Sequence, residues 1–128
     1  MKPFIKRKEI IKMRKIFICP SLLAADKNNM LNEIKLAESL GCKYIHIDIM
    51  DGRYVPNFAM SLNDMRYIAS VARKPLDVHL MIENADRYID DFCAAGADII
   101  TFHVESDSPI QETIDKIKSF GIKPGLVI

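Results

Sequence analysis

The chain has 128 residues, 49% hydrophobic and 27% charged, enough for one core and too few for two. A formal net charge of +1 gives no overall bias toward nucleic acid or membrane, and no stretch approaches the ~20 apolar residues of a membrane span. The three cysteines (Cys19, Cys42, Cys93) are odd in number and far apart, which argues against a disulfide framework and for a reducing cytoplasm.

In chain order, the first stretch is "MKPFIKRKEIIKMRK" (1–15), with seven Lys/Arg against Glu9 alone. It reads as a basic arm for nucleic acid or a membrane surface, or as a disordered extension or a mis-assigned start, with Met13 able to initiate just before the first strand. The second reading is preferred. "KIFICP" (15–20) is then a short apolar strand closed by Pro20. Asp26 stands where an N-cap belongs, and Met30, Ile34 and Ala37 share the face of an amphipathic helix that Gly41 ends. "YIHIDIM" (44–50) follows as a strand with Ile45, Ile47 and Ile49 on one face and His46, Asp48 and Met50 on the other.

The same phrase returns. Residues 61–72 predict a helix with Leu62, Met65, Ala69 and Ala72 on one face, then the strand "PLDVHLM" (75–81). Ala85, Tyr88, Ile89 and Phe92 fall at helical spacing before Gly96 and the strand "DIITFHV" (98–104). Ile110, Thr113, Ile114 and Ile117 repeat it before Gly121 and "KPGLVI" (123–128). Strands thus begin near 16, 44, 76, 98 and 123, each pair joined by one helix. Connections of that length belong to parallel strands. The expected class is α/β, either an open doubly wound sheet or a (β/α)8 TIM barrel. No Gly-rich nucleotide fingerprint supports the first. Polar residues on the strand faces favour the barrel, whose inward side chains line a site at the C-terminal strand ends. A barrel needs eight strands and typically ~250 residues, so residues 16–128 read as about its first five strands and four helices.

The inward faces carry the chemistry. His46, Asp48 and Met50 on one strand meet Asp77, His79 and Met81 on the next. Two imidazoles and a carboxylate form a common divalent-metal set for zinc, iron(II), cobalt or manganese. They also form an ordinary hydrogen-bonded cluster, and by spacing alone that plainer reading stands slightly ahead. An unpaired buried carboxylate is costly, however, and a cation between two histidines relieves it. Met50 and Met81 read most simply as core filler. Asp77 reads as a cap on the strand start or a partner of Lys74. His103 and Glu105 can reach the same mouth. The loop "MDGRYVPNFAM" (50–60) leaves the second strand through a tight Asp51-Gly52 turn.

Four motifs then stand in register: "PSLLAAD" (20–26), "HIDIMDGRYVPN" (46–57), "LDVHLM" (76–81) and "AGADIITFHVE" (95–105). Over residues 16–128 the sequence resembles the ribulose-phosphate 3-epimerases. The resemblance implies a (β/α)8 barrel that interconverts D-ribulose 5-phosphate and D-xylulose 5-phosphate through a 2,3-enediolate, with one divalent metal. It implies His46, Asp48 and His79 as metal ligands and Asp48 also as the acid/base. Ser21, Met50, Met81 and His79 are implied at the substrate. A small sugar phosphate is the implied partner, with no nucleic acid or membrane, in a homo-oligomer when full length. The family's second acid/base, an Asp near the seventh strand, and its glycine-rich phosphate loops have no counterpart here, so this chain alone is expected to be inactive or nearly so. "NFAMSLNDM" also lacks the glycine usual after V-P-N. An epimerase of six-carbon ketose phosphates such as D-allulose 6-phosphate, or a non-catalytic half-barrel, are the alternatives.

Overall fold

The computed structural model describes residues 16–128; the basic stretch 1–15 lies outside the described residues. Four parallel strands form one sheet in chain order: β1 (Ile45–Met50), β2 (Leu76–Met81), β3 (Ile99–His103) and β4 (Lys123–Val127). Each is preceded by a helix: α1 (Met30–Ser39), α2 (Leu62–Val71), α3 (Ile89–Ala94) and α4 (Ile110–Ser119). This is the strand–helix alternation the sequence predicts, and it sets neighbouring strands side by side without reordering.

Local chemistry explains the boundaries. Asp26 accepts the Asn28 N–H at 2.9 Å and opens a 3-10 turn (Lys27–Asn29) that runs into α1. Ser61 caps α2 through a reciprocal box with Asp64: the Asp64 N–H donates to Ser61 Oγ at 3.1 Å, and the Ser61 N–H donates to Asp64 Oδ2 at 2.7 Å. Gly41, Gly96 and Gly121 sit at φ +82°, +107° and +74° just beyond helix ends, a conformation other residues adopt only with strain.

The core lies between sheet and helices. Ile45, Ile47, Ile49, Leu76, Val78, Leu80, Ile100 and Phe102 are buried on one sheet face, against Ile34, Met65, Ile68, Ile89, Phe92 and Ile117 from the helices. Two expected helix-face positions miss it. Tyr88 is about half exposed because residues 85–88 form a 3-10 turn, whose shorter period rotates it out of line with Ile89 and Phe92. Ile110 is exposed at the first residue of α4.

The first expected strand is also corrected. Within residues 16–20 no ladder forms. Ile18 and Pro20 offer only their carbonyls, to the N–H groups of Lys43 (3.0 Å) and His46 (2.9 Å). Pro20 has no N–H to return a bond, and contact reduces to a single parallel bridge between Ser21 and His46. The described fold is therefore four strands with an extended segment along β1. That segment still delivers Ser21 to the sheet face opposite the helices.

Candidate metal centre

Alternation along the strands decides what this second face carries. The register pairs His46 with Asp77, Asp48 with His79, and Met50 with Met81 across β1 and β2. It then pairs Asp77 with Ile99 and His79 with Thr101 across to β3. Asp48, His79, Thr101 and Gly125 thus form one row. A side chain at Gly125 would run into Thr101, so glycine keeps this row close-fitting.

Asp48 is the hub. Its Oδ1 lies 3.1 Å from His46 Nε2 and 3.3 Å from His79 Nδ1. Its Oδ2 accepts a hydrogen bond from Ser21 Oγ at 2.5 Å. Ser21 is fixed in turn, because its Oγ also accepts the Leu23 N–H at 3.1 Å. Asp48 is buried, whereas His46 and His79 keep roughly a fifth to a quarter of their side chains exposed (24% and 21%). One ligand atom from each of the three lies within 4.8 Å of the others, the one such His/Cys/Asp/Glu grouping among the described residues. Donors bound to one ion at about 2.0–2.2 Å stand roughly 3.0–3.5 Å apart, which fits both distances to Asp48.

The electrostatics give the fit independent support. His46 faces a carboxylate with both nitrogens, since Nδ1 lies 2.9 Å from Asp77 Oδ2. A neutral imidazole has one N–H and can satisfy only one of them. The hydrogen bond to Asp77, first, and the charges of Asp48 and Asp77 raise the His46 pKa above its ordinary value. His79 shifts the other way: burial lowers its pKa, and the neighbouring His103 adds to the effect. A divalent cation would suit the same arrangement, with His46 Nε2 free of a proton and His79 neutral.

The strand ends build the rim. Met50 and Met81 are half-buried beside each other, one row beyond Asp48 and His79. His103 stacks on His79 with ring centroids 4.9 Å apart and its Nε2 2.7 Å from His79 Nε2. The loop after β1 reaches over to β3, where the Tyr54 hydroxyl donates to Glu105 Oε2 at 3.3 Å. Asp51 holds that loop: Oδ1 accepts from the Arg53 and Tyr54 N–H groups, and Oδ2 from the Glu83 N–H at 2.9 Å after β2.

The sequence-expected residues His46, Asp48, His79 and Ser21 therefore meet, with Met50 and Met81 beside them. Asp77 is a correction. It turns to His46, and the cap on the β2 start is Asp98, whose Oδ2 accepts the Leu76 N–H at 2.8 Å. The face was readable, because Asp77 shares it with His79, but its partner His46 is set by the register between β1 and β2.

A sequence profile of the ribulose-phosphate 3 epimerase family matches residues 17–128. The chain belongs to this family. It is 46% identical over 113 residues to the ribulose-phosphate 3-epimerase of Bacillus subtilis, covering 88% of this chain and 52% of that protein. It is 42% identical over 117 residues to the Synechocystis enzyme of the same name (90% and 51%). The chloroplastic ribulose-5-phosphate-3-epimerase of Arabidopsis thaliana matches at 41% over 115 residues (88% and 41%). The chain spans about half the length of the curated relatives it matches. Among solved structures, Yersinia pestis DHPS with a pterine-sulfa conjugate shares the fold with a TM-score of 0.59 at 15% identity, over 86% of this chain and 42% of that one. The family is one of (β/α)8 TIM barrels, and the four-stranded parallel sheet with its helices is a part of that architecture. None of the described helices is long and apolar enough to cross a membrane.

Proposed function

We propose that this chain supplies the metal-binding part of an epimerase acting at C3 of D-ribulose 5-phosphate to give D-xylulose 5-phosphate. The reading rests on one observation: an imidazole nitrogen from β1 and another from β2 converge on a single oxygen of Asp48, at 3.1 and 3.3 Å. Family membership gives that convergence its chemical meaning.

In this reading His46, Asp48 and His79 hold one divalent ion, with zinc, iron(II), cobalt and manganese all compatible with two nitrogens and an oxygen. When bound, the ion supplies positive charge against the enediolate that develops when the C3 proton leaves. Asp48 takes that proton, and it needs a fixed orientation to do so. Ser21 provides the orientation by donating to Oδ2. Met50 and Met81 form apolar walls that thin the water around Asp48, which strengthens electrostatic interactions inside. Inversion needs a second acid/base on the opposite side of C3, and none is assigned among the described residues. The reaction is therefore a property of the complete barrel.

A fusion of this chain to the remaining half of the Bacillus subtilis relative tests the reading, assayed with D-ribulose 5-phosphate and D-allulose 6-phosphate side by side. Metal-dependent turnover of the pentose phosphate, lost in Asp48→Asn, is expected. Preference for the hexose phosphate would transfer the assignment to the six-carbon reaction. A folded, metal-loaded fusion inert toward both would sink it.

A further inference from the structure

The inner sheet face holds a second carboxylate beside Asp48, and its position is specific. Asp77 is the register partner of His46 across β1 and β2, and its Oδ2 lies 2.9 Å from His46 Nδ1. We propose that Asp77 is a positioning residue for the metal centre, which accepts the Nδ1–H of His46 and so commits Nε2, bare of a proton, to the cation. This rests on the reading of His46, Asp48 and His79 as the metal site.

The argument is one of protons and reach. A neutral imidazole carries its proton on either nitrogen, and only the bare one can ligate. The partner of the other nitrogen selects between them. A carboxylate is acceptor only, and of the two that face His46 the Asp77 contact is the shorter, 2.9 Å against 3.1 Å to Asp48, whose other oxygen already accepts from Ser21, so the balance favours Nδ1–H. Strand geometry makes Asp the fitting length. Register partners stand about 4.8 Å apart, so a short side chain spans sideways to the near nitrogen of His46. The far nitrogen, Nε2, points along the strand to Asp48, 3.1 Å away. Glutamate would carry the carboxylate one methylene too far.

The other histidine lacks such a device. The outer nitrogen of His79 faces His103 Nε2 at 2.7 Å, and a histidine can donate or accept. A carboxylate thus acts directly on the proton of His46, while that of His79 answers to His103, whose own Nδ1 lies 4.0 Å from Glu105 Oε2. Loss of Asp77 should consequently weaken metal binding more than loss of His103.

The test uses the 128-residue chain with Zn²⁺ or Co²⁺ alone, read by competition calorimetry. Asp77→Leu should lower affinity about 10–100-fold, and Asp77→Asn, which keeps an acceptor oxygen, should recover part of the loss. A second reading needs no metal. In ¹⁵N NMR of the metal-free chain at alkaline pH, neutral His46 should carry its proton on Nδ1, and in Asp77→Leu on Nε2, the position free imidazole side chains favour. If Asp77→Leu fails to fold, Asp77→Ala, which also removes the acceptor, takes both measurements. Unchanged affinity, or a His46 tautomer indifferent to residue 77, would overturn the inference. A parent chain that binds neither ion would overturn the metal site itself, and the tautomer measurement would still decide the part played by Asp77.

Discussion

The two faces of the sheet obey different rules. On the helix face, β1 alone contributes Ile45, Ile47 and Ile49, all buried, and β3 adds Ile100 and Phe102. On the other face β1, β2 and β3 contribute His46, Asp48, Asp77, His79 and His103, each held by a hydrogen bond or charged contact to another member or to Ser21. The first face is defined by volume and tolerates one apolar residue in place of another. The second is defined by direction, because each nitrogen and oxygen needs a particular partner. Stability and chemistry are thereby separated by a single backbone thickness, and substitutions should sort by face.

The largest effect on folding is expected from Phe102→Ala, which empties a fully buried site on the helix face. Loss of about 3–5 kcal/mol should appear in urea denaturation, with metal affinity per folded molecule unchanged. A matching fall in affinity would break the separation of faces. Asp48→Asn should do the reverse: turnover of the fused barrel should fall at least ~100-fold, the order general acid–base catalysis contributes. Its melting temperature without metal should shift far less than that of Phe102→Ala.

Gly125→Ala sharpens the comparison, since it adds one methyl to the row of Asp48, His79 and Thr101. It should cost about 1–3 kcal/mol by overpacking and also disturb the metal site, a combined outcome that helix-face variants should not show. Ser61→Ala, outside both faces, should cost about 1 kcal/mol through loss of the α2 cap and leave the site untouched.

The smallest effect is a pH dependence of the metal-free chain. The raised pKa of His46 means that its contribution to stability is complete below the ordinary histidine range and is lost as pH rises through the raised value. His79, lowered by burial, acts oppositely: the fold favours its neutral form, and that contribution is lost as pH falls through the lowered value. Thermal melts of the parent and His46→Gln between about pH 5 and about pH 9 should show their largest difference at the acid end. A difference growing toward alkaline pH would contradict the Asp77 contact.

Most of the fold was legible because it depends on periodicity. The alternation of Ile with His and Asp in residues 45–50, and the glycines at 41, 96 and 121, mark elements without reference to the rest of the chain. Where legibility failed, a non-local or turn-scale effect intervened. Residues 16–20 look like a strand, yet Pro20 and the one-sided bonding to Lys43 and His46 stop a ladder from forming. Tyr88 has helical spacing, but a tighter turn turns it outward. At the site, His46, Asp48 and His79 were readable from strand faces and motif resemblance. The partners of Asp77 and His103 were not, because lateral register between β1, β2 and β3 decides them, and a single strand carries no record of its neighbour's register.

The central claim is that β1 and β2 together hold one divalent ion. Anomalous diffraction from crystals grown with Zn²⁺ measures this directly. The account predicts a single strong peak within bonding distance of His46 Nε2, His79 Nδ1 and an Asp48 carboxylate oxygen. A fully occupied zinc elsewhere, or none at saturating metal with these three side chains in place, would contradict it.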